Sequence, residues 1–167
     1  DPAIRAKVLL EIAGEALDKA IEIYPSSAPN IQARAEIEER LGDLEGALEV
    51  LDRFKAMKSV PAYAHLRRAI LFSKMRLFFK AQSELAATMD DLPFPALLRM
   101  GINEMEMGNP VAAKASFDKA LGVAADEKED PRQRLDAQAR RADALNDIIA
   151  RTEAAYAAID PDDAKLQ

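Results

Sequence analysis

The side chains of this sequence that could do chemistry are one histidine and several groups of carboxylates. The histidine, His65, has no thiol to activate, because the chain contains no cysteine. A nucleophilic site needs a base beside its nucleophile, and a zinc site needs several nitrogen or sulfur ligands. We therefore interpret His65 as a partly buried packing residue. We predict no catalytic residue, no metal-binding residue and no enzymatic activity.

The carboxylates cluster at residues 36–39 and again at residues 126–130. The second cluster lacks the spacing of a calcium loop, which needs a central glycine and a glutamate at the twelfth position, where this chain has Ala137. The six glycines are scattered, and none belongs to a phosphate-binding loop. Solvated helix faces and helix caps explain these acids, so no cofactor is predicted.

A periodic pattern of alanines indicates which elements must hold these side chains. Ala13, Ala47, Ala81 and Ala113 follow one another at intervals of 34, 34 and 32 residues. Four residues after each alanine comes a large apolar residue: Leu17, Leu51, Leu85 and Phe117. A period near 34 is typical of stacked helical hairpins, and no alternating apolar–polar segment predicts a strand. The fold class is therefore predicted to be all-α, with eight helices.

Proline and glycine predict where these helices begin and end. The first helix runs from Asp1-Pro2 to about residue 24, and a long last helix covers about 131–160. Three hairpins lie between them, at 30–41 with 44–57, 62–75 with 78–90, and 95–107 with 110–123. Gly42-Asp43 and Gly108-Asn109-Pro110 form the outer two turns. The middle turn, Met75-Arg76-Leu77, has no glycine, so a different turn is expected there.

These residues give the chain a resemblance to tetratricopeptide (TPR) repeats. The family's first helix carries a small residue, and its second helix carries Ala, a large apolar residue and Ala before a closing proline. The matching small residues are Ala35, Ala69 and Gly101, the closing prolines are Pro25, Pro61 and Pro93, and the strongest match runs from Met100 to Leu121. The departures are Ile31, His65 and Leu97 at positions where aromatic residues are usual, and Phe54 and Thr88 where Ala is usual.

The resemblance implies an α-solenoid of antiparallel helical hairpins in a single domain, with a long C-terminal capping helix. The expected parts are a partial repeat at 2–25, repeats at about 28–61, 62–93 and 94–127, and the capping helix at about 131–160. In this family the first helices of the hairpins line a concave groove, which binds an extended peptide or a helix. The resemblance therefore implies a protein or peptide partner.

The apolar half of that groove is the predicted partner-binding site. It comprises Tyr63, Leu66, Ile70, Leu98, Ile102 and Met105, with a charged rim of Glu36, Glu39, Arg40, Lys74 and Arg99. An apolar surface of this extent predicts an occupant. The partner, a second copy of the chain and the chain's own last helix all remain open as that occupant. At least one of Phe78 and Phe79 is expected to pack between hairpins.

The leading function is a protein–protein interaction module, a TPR adaptor or assembly subunit. The alternative is a self-associating scaffold, because the first helix, from Ile4 to Tyr24, has no hairpin partner for its apolar face. The net charge of −6, with both signs interspersed, argues against nucleic-acid binding. No apolar run approaches 18 residues, so a soluble protein without membrane insertion is predicted. Two partners remain open for the exposed face of the first helix, a second copy in a homodimer and a hairpin upstream of it in a longer chain. A cytoplasmic and a periplasmic location also both remain open.

Overall fold

The computed structural model describes residues 1–126 and 130–157, which form helices and turns. The described residues contain eight α-helices, one short 3-10 helix and no strand, which confirms the predicted fold class. The chain divides into two compact units, Asp1–Asp91 and Leu92–Gln167. Whether the chain is one domain stays a prediction, and so do the repeat boundaries. Residues 127–129 and 158–167 lie outside the described part, and so does the predicted end of the last helix.

Unit 1 is a run of sequential antiparallel helices. They are α1 (Pro2–Ile23), α2 (Ala28–Leu41), α3 (Leu44–Asp52), the 3-10 helix Arg53–Ala56, α4 (Ala62–Lys74) and α5 (Phe78–Ala86). Asp1 caps α1 by accepting a 2.9 Å hydrogen bond from the backbone N–H of Ala3. Asp43 caps α3 in the same way, through the backbone N–H of Gly46 at 2.7 Å.

The core of unit 1 comes from the repeating apolar positions. Its fully buried members are Ile21, Ile31, Ala35, Ala47, Leu51, Phe54, Ala64 and Leu71. Alanine at the contact positions lets the helix backbones approach, and the larger side chains fill the remaining space. Most of the first half of α1 lies outside this packing, since residues 1–9 are all exposed.

Unit 2 contains α6 (Pro93–Glu106), α7 (Pro110–Asp126) and α8 (Pro131–Ala157). A proline stands at the beginning of each helix, where its missing N–H costs no intrahelical hydrogen bond. The core includes Ala113 and Phe117 of α7 and Ala144 of α8. A Cβ at Gly101 would lie 2.3 Å from the Phe117 ring, so only glycine permits this approach of α6 to α7.

The three hairpin turns share one geometry, and the expectation of a different middle turn is wrong. Gly42, Arg76 and Gly108 all have positive φ, at 87°, 59° and 80°. In each turn the next N–H bonds the carbonyl five residues back, at 2.8–2.9 Å. This pattern is the Schellman motif that ends a helix. Arg76 thus adopts a left-handed conformation that an L-residue with a side chain occupies at a cost.

Two second helices end earlier than the sequence predicts. α3 stops at Asp52, and the tighter 3-10 turn Arg53–Ala56 follows, with Phe54 fully buried. α5 stops at Ala86 rather than near residue 90. Beyond it, the buried Thr88 hydroxyl donates a 2.8 Å hydrogen bond to the carbonyl of Leu85. A side chain that satisfies the last carbonyls in this way competes with continuation of the helix.

Candidate interaction surface

One face of α4 carries both apolar and basic side chains. They are spaced by three and four residues, so they point the same way from the helix: Tyr63, Leu66, Arg67, Ile70 and Lys74. Lys74 is exposed, and the other four are partly exposed. Three of the six predicted groove residues therefore share a solvent-accessible face in unit 1.

The charged side chains of α2 lie beside this face. Glu39 accepts a 2.7 Å hydrogen bond from Arg67 and a short one from Lys74. Together they line a pocket of about 290 Å³, whose walls are Glu36, Glu39, Arg40, Arg67 and Lys74. Four of the five predicted rim residues thus lie together. Arg40 has no carboxylate partner in the described structure, so three cations face two carboxylates.

Tyr63 packs against the core of unit 1. Its ring meets Phe54 edge to face, with centroids 5.7 Å apart and planes at 89°. Burial raises the pKa of the Tyr63 phenol above its usual value. The phenol therefore stays neutral at physiological pH, and the ring forms a fixed apolar end to the α4 face.

The other three predicted groove residues lie on α6 in unit 2. Leu98, Ile102 and Met105 are partly buried and pack against the cluster formed by Ala113, Phe117 and Ala144. The last helix contributes Ala144 to that cluster, so these side chains have packing partners within their own unit. Their role in partner binding stays a prediction.

Arg99, the fifth rim residue, lies in unit 2 on α6. Burial lowers the pKa of its guanidinium, and the nearby Arg140 of α8 lowers that pKa further by repulsion. Arg140 itself binds Asp136 at 2.9 Å. Arg99 has no hydrogen bond or ion pair with the described residues, so its charge is compensated only at a distance, by Glu106 and Asp136.

His65 is partly buried, and its ring belongs to a network of polar side chains. Its Nδ1 lies 2.7 Å from one Glu84 oxygen, and the other Glu84 oxygen accepts a 2.8 Å hydrogen bond from Arg68. Among residues 1–126 and 130–157, no three His, Cys, Asp or Glu side chains are placed to hold a metal ion. The absence of enzymatic activity remains a prediction.

A long basic stretch was missed in the sequence analysis, which treated the charges as interspersed. Residues 53–83 contain eight Lys or Arg and no Asp or Glu. Four of these cations pair with carboxylates: Lys55, Arg67, Arg68 and Lys74. The other four have no such partner in the described structure: Arg53, Lys58, Arg76 and Lys80. A running count of charge along the chain would have found the stretch.

The exposed face of α1 is apolar, as the sequence predicts. Ile4, Val8, Leu9 and Ile12 are between 45% and 66% exposed. Phe79, at the beginning of α5, is 84% exposed, whereas Phe78 is partly buried beneath Arg76, whose guanidinium lies 5.5 Å from the ring centroid. No helix in the described residues is both long enough and apolar enough to cross a membrane.

Comparison with known structures identifies the arrangement of helices. A tetratricopeptide repeat protein from Parabacteroides merdae superposes with a TM-score of 0.62 at 22% identity, over 82% of this chain. MamA superposes with a TM-score of 0.60 at 17% identity, over 89% of this chain and 94% of its own. The chain has the TPR-like fold. It spans 54% of the Parabacteroides protein, and identities this low establish the fold alone.

Comparison by sequence adds nothing further. No family model matches the chain, and no curated protein is similar to it.

Proposed function

We propose that the chain is a protein–protein interaction module and that the α2–α4 face of unit 1 binds a segment of the partner. One observation carries the proposal: Tyr63, Leu66 and Ile70 lie on the same face of α4 as the two cations that line the charged pocket. Apolar anchors beside charged groups hold a helix or an extended segment and set its direction.

The charges of the pocket favour a particular orientation of the bound segment. Arg67 and Lys74 share Glu39, and Arg67 also lies 3.8 Å from Glu36, whereas Arg40 is exposed and has no carboxylate partner among the described residues. A partner with apolar side chains over α4 and an acidic side chain near Arg40 would complement this surface. In unit 2, Leu98, Ile102 and Met105 beside Arg99 are proposed as a separate apolar contact.

Selection of peptides on the immobilised protein tests the proposal. Peptides selected from a displayed random library are expected to be apolar with an acidic residue at one end. Ile70→Asp should weaken their binding at least tenfold, and Arg40→Glu should weaken the acidic ones by a smaller factor. Val111→Asp is the matched control, since Val111 is 69% exposed and lies in unit 2. Equal binding to wild type and Ile70→Asp would refute the α4 site.

The second candidate function is a self-associating scaffold. The observation that favours it is the exposed apolar face of α1, with Ile4, Val8, Leu9 and Ile12 in contact with solvent. Contiguous apolar surface of this kind marks an interaction site in a folded protein. Sedimentation velocity of the purified chain over a concentration series tests it, because self-association raises the mean mass as concentration rises. A constant monomer mass would exclude it.

A further inference from the structure

Unit 1, which the structure describes completely, has two groups of large apolar side chains in solvent. The first is on α1 and at its end: Ile4, Val8, Leu9, Ile12, Ile23 and Tyr24. The second is at the turn from α4 to α5, where Leu77 is 39% exposed and Phe79 is 84% exposed. We call this second group, together with Arg76 and Lys80, the α4–α5 tip.

The α4–α5 tip has its own turn hydrogen bonds and ring contacts although it is exposed. The left-handed Arg76 closes the turn through the Schellman hydrogen bonds, and its guanidinium lies over the Phe78 ring. Lys80 Nζ lies 5.7 Å from the centroid of the Phe72 ring. These cation–π contacts are worth about 0.5–1 kcal/mol each at an exposed site, and they leave the charges of Arg76 and Lys80 without a carboxylate partner among the described residues. The tip is therefore a preorganised apolar and basic projection.

The two apolar groups lie on segments of opposite charge. Residues 1–52 contain twelve acids and five bases, a net charge of −7, while residues 53–83 carry +8. On α1, Glu11 and Glu15 stand three and seven residues after Val8, so they border the exposed ridge of Ile4, Val8 and Ile12. Glu11 lies 3.9 Å from Lys7, whereas Glu15 has no ion pair among the described residues and is the acid that the tip would meet. The tip offers Arg76 and Lys80 beside its exposed Phe79.

We infer that the exposed face of α1 is covered by the α4–α5 tip of a second copy of this chain. Phe79 and Leu77 of one copy lie on the ridge of Ile4, Val8 and Ile12 of the next, and Arg76 and Lys80 face the acidic border. This inference rests on the second candidate function, self-association, and names the surface that meets α1.

A head-to-tail contact agrees with both the apolar and the charge pattern better than a two-fold contact does. Pairing α1 with its own copy would leave Phe79 in solvent and would place like acidic borders in one interface. Contact with the tip removes both exposed groups from water and brings unlike charges together. Because the two surfaces differ, each copy keeps one free end, and the assembly grows into chains instead of closing as a dimer.

Each surface offers only a few exposed apolar side chains, so we expect a weak association. Transient protein–protein contacts bury less than about 1,200 Å², and we place this contact in that class with a dissociation constant on the order of 100 µM. Because opposite charges contribute, raising the ionic strength to about 0.5 M should reduce the fraction assembled several-fold.

Mixing two complementary variants tests the inference. The first variant, Val8→Glu with Ile12→Glu, destroys the α1 surface, and the second, Phe79→Ser with Lys80→Glu, destroys the tip. All four side chains are exposed, and an unchanged helical circular-dichroism signal confirms that each variant folds. Each variant alone should sediment as a monomer under conditions in which the wild type forms species larger than a dimer. An equimolar mixture, with one variant dye-labelled, should form heterodimers, because each variant supplies the surface that the other lacks.

Several results would overturn the inference. If the tip variant assembles like the wild type while the α1 variant does not, α1 meets another surface of the second copy. The inferred contact with the tip would then be wrong, and self-association through α1 would still be supported. If the mixture stays monomeric, the two surfaces do not meet. If the wild type is monomeric up to about 1 mM, roughly ten times the expected dissociation constant, the inference and the self-association candidate fail together and another partner covers α1. Val111→Glu should leave the assembly unchanged in every case.

Discussion

Arg34 donates a hydrogen bond of 2.9 Å to Asp18 across the junction of α1 and α2. The pair recurs 34 residues later, where Arg68 of α4 forms an ion pair with Asp52 at the end of α3. Burial alone would lower the pKa of Arg34, but its bonds to Asp18 and Glu38 outweigh this and raise the pKa. The repeat period thus applies to a charged contact between hairpins as well as to the apolar core.

Removing the second of these arginines should destabilise unit 1. Arg68 is 8% exposed and also bonds Glu84, so Arg68→Met would leave a largely buried carboxylate with only His65 as its partner. We expect the free energy of unfolding to fall by about 2–4 kcal/mol. Urea denaturation measures it.

Lys55→Met is the control for that substitution. Lys55 pairs with the same Asp52 at 2.9 Å, but both side chains are about half exposed. An exposed pair of this kind contributes less than about 1 kcal/mol. Equal losses in Arg68→Met and Lys55→Met would show that the buried network adds nothing to stability.

Arg76 is expected to be a stabilising site for glycine. Its φ of 59° is left-handed, so Arg76→Gly should raise the free energy of unfolding by up to about 1 kcal/mol by relieving that strain. The loss of the contact with the Phe78 ring reduces the gain. The reverse substitution is Gly42→Ala. No atom would contact the new Cβ, so only the cost of placing alanine at a positive φ would remain. A lower thermal midpoint for Arg76→Gly would contradict this account.

The helices could be predicted from sequence because their signals are local. The Gly42-Asp43 and Gly108-Asn109-Pro110 turns carry their own conformational preferences, so these turns lie where they were predicted. Arg76 carries no such preference. Its left-handed conformation is imposed by the two helices that it joins, and the sequence therefore indicated an irregular turn where a regular one exists.

The candidate surface could be predicted only in part, for a related reason. The spacing of Tyr63, Leu66 and Ile70 is enough to place them on one face of a helix. The pairing of Arg67 and Lys74 with Glu39 spans separate helices, and a sequence interval of 28 or 35 residues has no meaning until the hairpins are stacked. Sequence can thus predict the members of a helical face better than the contacts between faces.

Gly101 offers a direct test of helix packing in unit 2. A Cβ there would meet the Phe117 ring at 2.3 Å, and Phe117 is fully buried, so the ring cannot move aside cheaply. Gly101→Ala and Gly101→Leu should each lower the free energy of unfolding by about 1–3 kcal/mol, with Leu the larger loss. Ala113→Leu is expected to cost a similar amount, because Ala113 is also fully buried.

The matched control is Gly122→Ala in α7, where nothing lies within 4 Å of the new Cβ. Alanine is the better helix former, so this substitution should stabilise the chain by up to about 1 kcal/mol. If both glycines responded to alanine in the same direction, close packing at Gly101 would be ruled out.

Asp118 of α7 joins α8 through a third ion pair, and its titration can be followed directly. Its carboxylate accepts hydrogen bonds of 2.5 Å from Lys114 and from Arg141, and these bonds lower its pKa, with Lys114 the larger cause. A pKa lowered in the folded state stabilises the fold above the unfolded value of about 3.9, and this stabilisation is lost as the pH falls through the folded value. Because Asp118 and Arg141 are about 40% exposed, the contribution is about 0.5 kcal/mol at neutral pH.

An NMR titration of the Asp118 carboxyl carbon should show a pKa below 3.9 in the wild type. It should rise in Lys114→Met and rise less in Arg141→Met, whereas Arg132→Met, on the exposed first turn of α8, should leave it unchanged. A wild-type pKa at the unfolded value would mean that the ion pair between α7 and α8 does not form in solution.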